Sequence, residues 1–178
     1  MYYGRYKVTQ PYKGVDHQGI DLVGLDHKTI RTPVEGLVIA AQKDTYFDGG
    51  MGNYVKIRDK LGRNHLFAHL GEFLCSRGQM VNVWDKIGVE GNTGHSFGSH
   101  CHYEIRASNS AASHINVAEI MGILNKIGIY EGIEMEKDDA KKIVKEKADL
   151  SDSTISYIAD DYRWGDSLII KLAEAMEK

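Results

Sequence analysis

Two histidines separated by one residue, His100 and His102, are the side chains in this sequence whose types and spacing are best suited to chemistry. A second pair, His17 and Asp21, lies far upstream with three residues between its members. Two imidazoles and a carboxylate from distant segments suit a catalytic zinc site, which takes three protein ligands and keeps one position open for water. The sequence therefore indicates a zinc site assembled from these two segments.

The segment around the histidine pair has the alternation of a β-strand, in which residues two apart share a face. One face would carry His100, His102, Glu104 and Arg106. The other face would carry Cys101, Tyr103 and Ile105. Both imidazoles can therefore reach a single site, and the thiol between them points away from it.

His17 and Asp21 need a bent backbone. Four residues of straight strand span about 13 Å, which is too far for two side chains that each lie roughly 2 Å from one metal ion. Gly14, Gly19 and Gly24 disfavour a helix here. We expect an extended segment that is bent near Gly19.

A third histidine segment lies between these two, from Asn64 to Leu70. If it is a strand, His65, Phe67 and His69 share one face. The glycine-rich stretch Gly91-Asn-Thr-Gly94 precedes the histidine pair. It lacks the lysine and the strand–helix context of a phosphate-binding loop, and we interpret it as a turn.

Several of these segments together resemble the lysostaphin-type (LytM-like) zinc endopeptidases of peptidoglycan, and the resemblance runs from about Tyr12 to about Arg106. The motifs occur in the family's order and spacing: His17-Gln-Gly-Ile-Asp21, Thr32-Pro-Val-Glu-Gly36, Gly52-Asn-Tyr-Val55, His69-Leu70, Gly91-Asn-Thr-Gly94 and His100-Cys-His-Tyr-Glu-Ile-Arg106. Two positions depart from the usual pattern, because Cys101 replaces an aliphatic residue and Ser99 stands where proline is frequent.

The resemblance implies one zinc ion per chain, bound by His17, Asp21 and His102. It also implies two catalytic histidines that lie beside the metal without binding it, His69 and His100. A neutral imidazole there can accept a proton from water or stabilise an oxyanion.

Three further residues are candidates for substrate contact: Tyr12, Asn53 and His65. Tyr12 corresponds to an upstream tyrosine that helps to position the reaction intermediate in the family. His65 can line the groove, although we favour a polar role for it at the surface. The remaining histidines have no motif around them, and we interpret them as ordinary loop or surface residues: His27, His95 and His114.

The implied function is hydrolysis of an amide in a stem peptide or cross-bridge of bacterial peptidoglycan. A catalytically inert relative that serves as a scaffold or activator of wall hydrolysis is the alternative, although this chain keeps all five residues of the implied site. The formal net charge of −3 gives no reason to expect nucleic acid or an anionic membrane as a partner. No apolar run is long enough to span a bilayer. We expect Cys75 and Cys101 to be free thiols.

The amino-terminal segment lacks the apolar core of a signal peptide. Either a signal segment was removed, or the protein accumulates in the cytoplasm until another component releases it to the cell wall. The second case fits a bacteriophage endolysin, which is the role we favour. A phage tail component that opens the wall during entry is the alternative.

The pattern of short strands and turns predicts a mainly β fold, with an antiparallel β-sheet catalytic domain whose zinc-site groove can take an extended peptide. We place this domain at residues 1–132, with a terminal helix at about 116–127 that is capped by Asn116 and ends at Gly128, and a linker at 128–132. A small C-terminal α-helical bundle of three short helices follows at residues 133–178.

Two hypotheses remain open for the C-terminal bundle. Its apolar stripes can be simple packing or form a homo-oligomer, or the unit can bind the cell wall and concentrate the enzyme on an insoluble substrate. Acidic side chains outnumber basic ones there, so attraction to anionic wall polymers is not expected. Three aromatic residues could stack on sugar rings: Tyr157, Tyr162 and Trp164.

Overall fold

The computed structural model describes residues 1–43, 50–132, 137–158 and 165–176. The chain forms two compact units, Met1–Gly132 and Ile133–Lys178. In the described residues, no helix has both the length and the apolar character needed to cross a membrane.

The first unit is built mainly from antiparallel strands. In chain order they are β1 (Arg5–Gln10), β2 (Ile20–Gly24), β3 (Thr29–Arg31), β4 (Gly36–Lys43), β5 (Asn53–Arg58), β6 (Asn64–Ala68), β7 (Glu72–Phe73), β8 (Met80–Val81), β9 (Lys86–Val89), β10 (Cys101–Arg106), β11 (His114–Ile115) and β12 (Gly128–Glu131). The large sheet has the order β12-β1-β2-β10-β6-β5-β4-β8, with β11 paired to β10. A small sheet has the order β3-β9-β7. The predicted antiparallel, mainly β fold is confirmed.

Strand β10 lies near the middle of the large sheet and is buried on both faces. Its odd-numbered side chains enter the main hydrophobic core, where the rings of Tyr103 and Phe67 stack with centroids 4.6 Å apart. Its even-numbered side chains, His102 and Glu104, lie on the opposite face, as the alternation predicts. Both cysteines are free, as expected, and both are buried.

Strand β6 is also covered on both faces, because a second group of buried apolar residues packs on the side opposite the main core. This group comprises Ala40, Tyr54, Leu66 and Ala68, with Met51 against it. The second cover leaves β6 no solvent-exposed face, and all five of its residues are buried.

The helix predicted at residues 116–127 is much shorter. Helix α1 spans Val117–Met121, and Asn116 caps it as predicted, with its side chain accepting a hydrogen bond from the amide of Ala118. Gly122 ends the helix in the left-handed conformation, with φ of +65°, five residues after it begins. The apolar side chains of Leu124 and Ile127 are therefore exposed rather than part of a buried helical stripe.

The prediction of a linker at residues 128–132 is wrong. Residues Gly128–Glu131 form β12, which pairs antiparallel with β1 at the edge of the large sheet. The rings of Tyr130 and Tyr6 stack there with centroids 5.8 Å apart, and this cross-strand pair stabilises the added strand.

The second unit contains three short helices in its described residues: α2 (Lys137–Ala148), α3 (Asp152–Ser156) and α4 (Gly165–Met176). Helix α2 packs against α4, and apolar side chains from all three helices are buried: Ala140, Ile143, Val144, Ile155, Ile169 and Ala173. Tyr157 is exposed. The predicted aromatic residues Tyr162 and Trp164 lie outside the described residues.

Candidate metal centre

Strand pairing brings the first histidine–aspartate segment beside the histidine pair. Strands β2 and β10 are neighbours, and their register sets His102 directly opposite Asp21. His17 lies before β2, and the backbone bends at Gln18 and Gly19, as the spacing predicts. A β-carbon on Gly19 would lie 2.7 Å from the His102 ring, so only glycine lets the bent segment approach that closely.

Three donor atoms converge at this point. The Nε2 atom of His17 lies 3.2 Å from the Asp21 carboxylate and 3.2 Å from Nδ1 of His102. The third separation, from His102 Nδ1 to Asp21 Oδ1, is 2.7 Å. Among the described residues, these form the one group of three or more ligand-type side chains whose atoms all lie within 4.8 Å of one another.

The donor set fits a zinc ion. Ligand atoms roughly 2.0–2.1 Å from zinc in a tetrahedral site are about 3.3 Å from one another, which matches the two separations that involve His17. Two imidazoles and one carboxylate also make up a known type of catalytic zinc site. The residues present therefore suit the metal that the sequence predicts.

Both histidines of the cluster are held through their second ring nitrogen. The Nδ1 atom of His17 lies 2.8 Å from the carbonyl oxygen of Pro11, to which it donates. The Nε2 atom of His102 donates to Glu104 at 2.9 Å, and Arg106 in turn holds that carboxylate. These contacts fix which nitrogen faces the site, as outer partners of metal-binding histidines do.

The charges of the cluster favour a cation. Burial opposes ionisation of Asp21, but hydrogen bonds from His102 and His17 outweigh it and hold the pKa of that carboxyl well below its usual range. Burial lowers the pKa of His102, but the carboxylates of Asp21 and Glu104 outweigh it and raise that pKa to about 9. A metal ion therefore competes with a proton for Nδ1 of His102.

Two more imidazoles lie beside the cluster. The ring centroids of His69 and His100 are 4.7 Å apart, and His69 lies 5.9 Å from the His102 ring. Each donates from Nδ1 to a main-chain carbonyl at 2.8 Å, His69 to Thr93 and His100 to Gly98. Their Nε2 atoms therefore remain available as proton acceptors. Burial lowers the pKa of His69 and so favours the neutral form of its ring.

All five predicted site residues line one cavity of about 540 Å³. The cavity is lined by His17, Asp21, His69, His100 and His102, together with Met51, His95, Phe97 and several others. Phe97 is 95% exposed at this position, and its ring meets that of His95 edge-on. The sequence interpretation left His95 and Phe97 without a role, because neither belongs to a ligand-type motif.

His69 does not share a face with His65 and Phe67, contrary to the prediction. Strand β6 ends at Ala68, and His69 adopts a φ of +62°. This left-handed conformation breaks the alternation of the strand. His69 therefore meets the metal cluster, whereas Phe67 stays in the core.

The prediction of a surface or groove role for His65 is wrong. Its side chain is fully buried, with Nε2 donating to Asp59 at 3.2 Å and Nδ1 accepting from the Tyr103 hydroxyl at 2.7 Å. His65 lies on the same face of β6 as Phe67, which is the face that packs in the main core, and its ring stacks on Tyr103 with centroids 6.1 Å apart. The local sequence does not reveal this burial, because Tyr103 comes from the neighbouring strand β10. His27 lies in the loop between β2 and β3, as expected, and is buried there beside Tyr3.

The other two candidate substrate contacts do not line the cavity. Tyr12 lies with its hydroxyl 2.7 Å from Nδ1 of His114, and Asn125 holds its backbone through two hydrogen bonds. Asn53 begins β5, and its backbone contacts Thr93 and Leu70. Substrate contact by Tyr12 and Asn53 stays a prediction.

Comparison with known proteins identifies the family. The sequence model for peptidase family M23 matches residues 15–115. A DD-carboxypeptidase/endopeptidase from Neisseria meningitidis is 34% identical over 102 residues, which are 57% of this chain and 23% of that protein. The chain spans only 21% to 24% of the length of the first curated relatives that it matches.

Two solved structures share the fold. The catalytic domain of lysostaphin from Staphylococcus simulans superposes with a TM-score of 0.56 at 21% identity, over 67% of this chain and 92% of that one. A zinc-containing peptidase from Vibrio cholerae gives a TM-score of 0.50 at 25% identity, over 60% of this chain and 36% of that one. The match to the family model covers more than half of the sequence and contains the whole metal cluster, so this chain belongs to peptidase family M23.

Proposed function

We propose that this protein is a zinc-dependent endopeptidase that hydrolyses an amide bond in the peptide part of bacterial peptidoglycan. The observation that carries the proposal is the convergence of three ligand atoms in one cavity, beside two imidazoles whose Nδ1 atoms donate to main-chain carbonyls. Membership of family M23 and the peptidase activity in the name of the Neisseria meningitidis relative support the same reading.

Each side chain of the site has a distinct part in this reaction. His17, Asp21 and His102 would hold the zinc ion, which supplies Lewis acidity toward the scissile carbonyl and toward water. The Nε2 atom of His69 or His100 accepts a proton from the attacking water, and the same nitrogen then donates that proton to the leaving amine. The second imidazole can stabilise the negative charge that develops on the carbonyl oxygen in its protonated form, in which Nε2 also carries a proton, since its Nδ1 proton is donated to a main-chain carbonyl.

Single substitutions distinguish the metal ligands from the histidines that transfer protons. We expect His102→Ala to lose both zinc and activity, because it removes one of three ligands. We expect His69→Ala to lose activity while it keeps zinc, because its ring lies outside the cluster. His114→Ala, which removes an imidazole that does not line the cavity, is the matched control for zinc content. Full zinc retention by His102→Ala would refute the ligand assignment.

The bond that is cut can be identified directly. Purified peptidoglycan from several wall chemotypes is digested with and without a chelator, and the fragments are analysed by mass spectrometry. New amino termini that disappear with chelator and return with added zinc are the expected result. Zinc-loaded protein that cuts no chemotype would instead favour the inert scaffold or activator.

The biological role of this protein stays a prediction. We propose an endolysin that accumulates in the cytoplasm and is released to the wall, with a tail-associated hydrolase as the alternative. Expression in a susceptible host with and without a co-expressed pore-forming protein tests it. Lysis that requires the pore is expected for an endolysin, and lysis without the pore contradicts that role.

The C-terminal unit is proposed either to bind the wall or to mediate self-association. A protein that ends at Gly132 is compared with the full chain in wall pull-down and in light scattering after size exclusion. Weaker pull-down of the truncated protein supports wall binding, and a loss of oligomer supports self-association. Unchanged behaviour in both assays would contradict both roles.

A further inference from the structure

The backbone at His69 is strained and is held in place by several hydrogen bonds. A φ of +62° is unfavourable for a residue with a β-carbon, and it persists only where the surroundings impose it. The amide of His69 donates to the carbonyl of Met51 at 2.9 Å, and the amide of Leu70 donates to the carbonyl of Asn53 at 2.9 Å. These bonds anchor the histidine to the beginning of β5.

Thr93, in a different loop, makes three hydrogen bonds to the same residues. Its hydroxyl donates to the carbonyl of Leu70 at 2.9 Å and accepts from the amide of Asn53 at 2.9 Å. Its own carbonyl accepts the hydrogen bond from Nδ1 of His69 at 2.8 Å. Thr93 therefore contacts the His69 ring, the following residue Leu70 and the first residue of β5.

The loop that carries Thr93 packs directly against the segment at Gly52. A β-carbon on Gly52 would lie 2.4 Å from the main chain of Thr93, and one on Gly94 would lie 2.3 Å from the amide of Gly52. Both glycines have positive φ values, of +64° and +72°. The two loops are in backbone contact, and the Thr93 hydroxyl links the loop to both Asn53 and Leu70.

We propose that Thr93 is a positioning residue for hydrolysis, whose hydroxyl fixes the loop so that its carbonyl selects the tautomer and orientation of His69. The inference rests on the proposed function for the role of His69, and it concerns a residue that does not itself line the cavity. With the proton of the neutral ring on Nδ1, Nε2 carries the lone pair that accepts a proton from water. Loss of the hydroxyl frees the loop and with it the carbonyl that holds this tautomer.

Kinetics of zinc-loaded, full-length variants test the role of the hydroxyl. Thr93→Val keeps the shape and removes both hydroxyl bonds, and we expect kcat to fall between about 10- and 100-fold, the size of effect that a misplaced catalytic group produces. KM and zinc content should stay within about twofold, since the metal ligands and the substrate groove are unchanged. Thr93→Ser retains the hydroxyl and should recover most of the activity. Unchanged kcat in Thr93→Val, or equal losses in both variants, would overturn the proposal.

The tautomer of His69 provides a second measurement that needs no hydrolytic activity, and its first result comes from the wild-type protein. Long-range ¹H–¹⁵N spectra of the wild-type protein, with His69 assigned by comparison with His69→Gln, should show the proton on Nδ1. In Thr93→Val the signal should shift toward a mixture of tautomers, and Thr93→Ser should resemble the wild type. A wild-type His69 protonated on Nε2 would overturn the proposal even if the protein cleaves peptidoglycan. The expected tautomer in a protein that cleaves nothing would leave the positioning of His69 supported and the proposed function refuted.

Discussion

The carboxylate of Glu104 offers the sharpest test of how the metal cluster is held. It is 3% exposed, accepts the hydrogen bond from Nε2 of His102 at 2.9 Å, and is held on its other side by Arg106. Glu104→Gln keeps an acceptor oxygen at this position but removes the charge, and hydrogen bonds to charged groups are roughly twice as strong as neutral ones. The change should therefore weaken zinc binding without touching a ligand.

The expected loss of zinc affinity follows from the contact between Glu104 and the ligand His102. Loss of such an outer partner costs about 10- to 100-fold in metal affinity, or about 1.4–2.8 kcal/mol. We expect Glu104→Gln near the tenfold end of this range, because an acceptor remains for His102. Glu104→Ala removes the acceptor as well and should lie near the hundredfold end.

Competition with a chromophoric chelator measures the zinc affinity of each variant. A second readout is the part of the unfolding free energy that depends on zinc, which should fall by the same amount at a fixed excess of zinc, since only the folded state holds the site. Unfolding in the presence of chelator is measured separately, because Glu104→Gln also removes the ionic partner of Arg106.

Glu72→Gln is the matched control, because Glu72 is an exposed carboxylate on strand β7. It should bind zinc as the wild type does. An affinity of Glu104→Gln within twofold of the wild type would refute the argument that Glu104 orients His102. Equal losses in both variants would show instead that the overall negative charge, and not the contact, governs zinc affinity.

Three further outcomes can be checked independently. Tyr103→Phe should lower the unfolding free energy by about 1–3 kcal/mol in urea denaturation, because it leaves the buried Nδ1 of His65 without its donor; a loss below about 0.5 kcal/mol would contradict this. The side-chain hydrogen bond from Arg5 lowers the pKa of Asp26 from 3.8 to about 2, so its stabilising contribution is complete above about pH 5 and is lost as the pH falls toward 2. The stability difference between wild type and Asp26→Asn should therefore shrink between pH 5 and pH 2, and a constant difference would disprove the assignment. Chelator should lower the thermal midpoint of the wild type and zinc should restore it, whereas the midpoint of Asp21→Asn should respond much less to either addition.

The alternation of residues 101–106 was sufficient to predict which side chains of β10 enter the core and which face the site. This worked because a central strand keeps a strict period of two. The bend before Asp21 could also be predicted, since the spacing of His17 and Asp21 is incompatible with a straight strand and glycines flank it. Local geometry determines both features, and local sequence therefore reveals them.

Three errors share a different cause, which is long-range packing. His65 is buried because it lies on the core face of β6, where its ring stacks on Tyr103 of the neighbouring strand β10. Residues 128–131 form a strand because β1, more than a hundred residues away, offers an unpaired edge and an aromatic partner. His69 leaves the strand face because its backbone is held in a left-handed conformation by Met51, Asn53 and Thr93.

The sequence by itself indicated the chemistry of the site, because the types and spacing of two histidines and a histidine–aspartate pair suit zinc, and the resemblance to a family implied which residues are ligands and which two imidazoles accompany them. Only the tertiary structure decided how those groups are oriented. Glu104, Pro11, Thr93 and Gly98 select which ring nitrogen faces the cavity, and the pairing of β2 with β10 sets Asp21 opposite His102. Residue types belong to single side chains and their family motifs are visible in the sequence, whereas orientation depends on hydrogen bonds between segments that only the folded chain brings together.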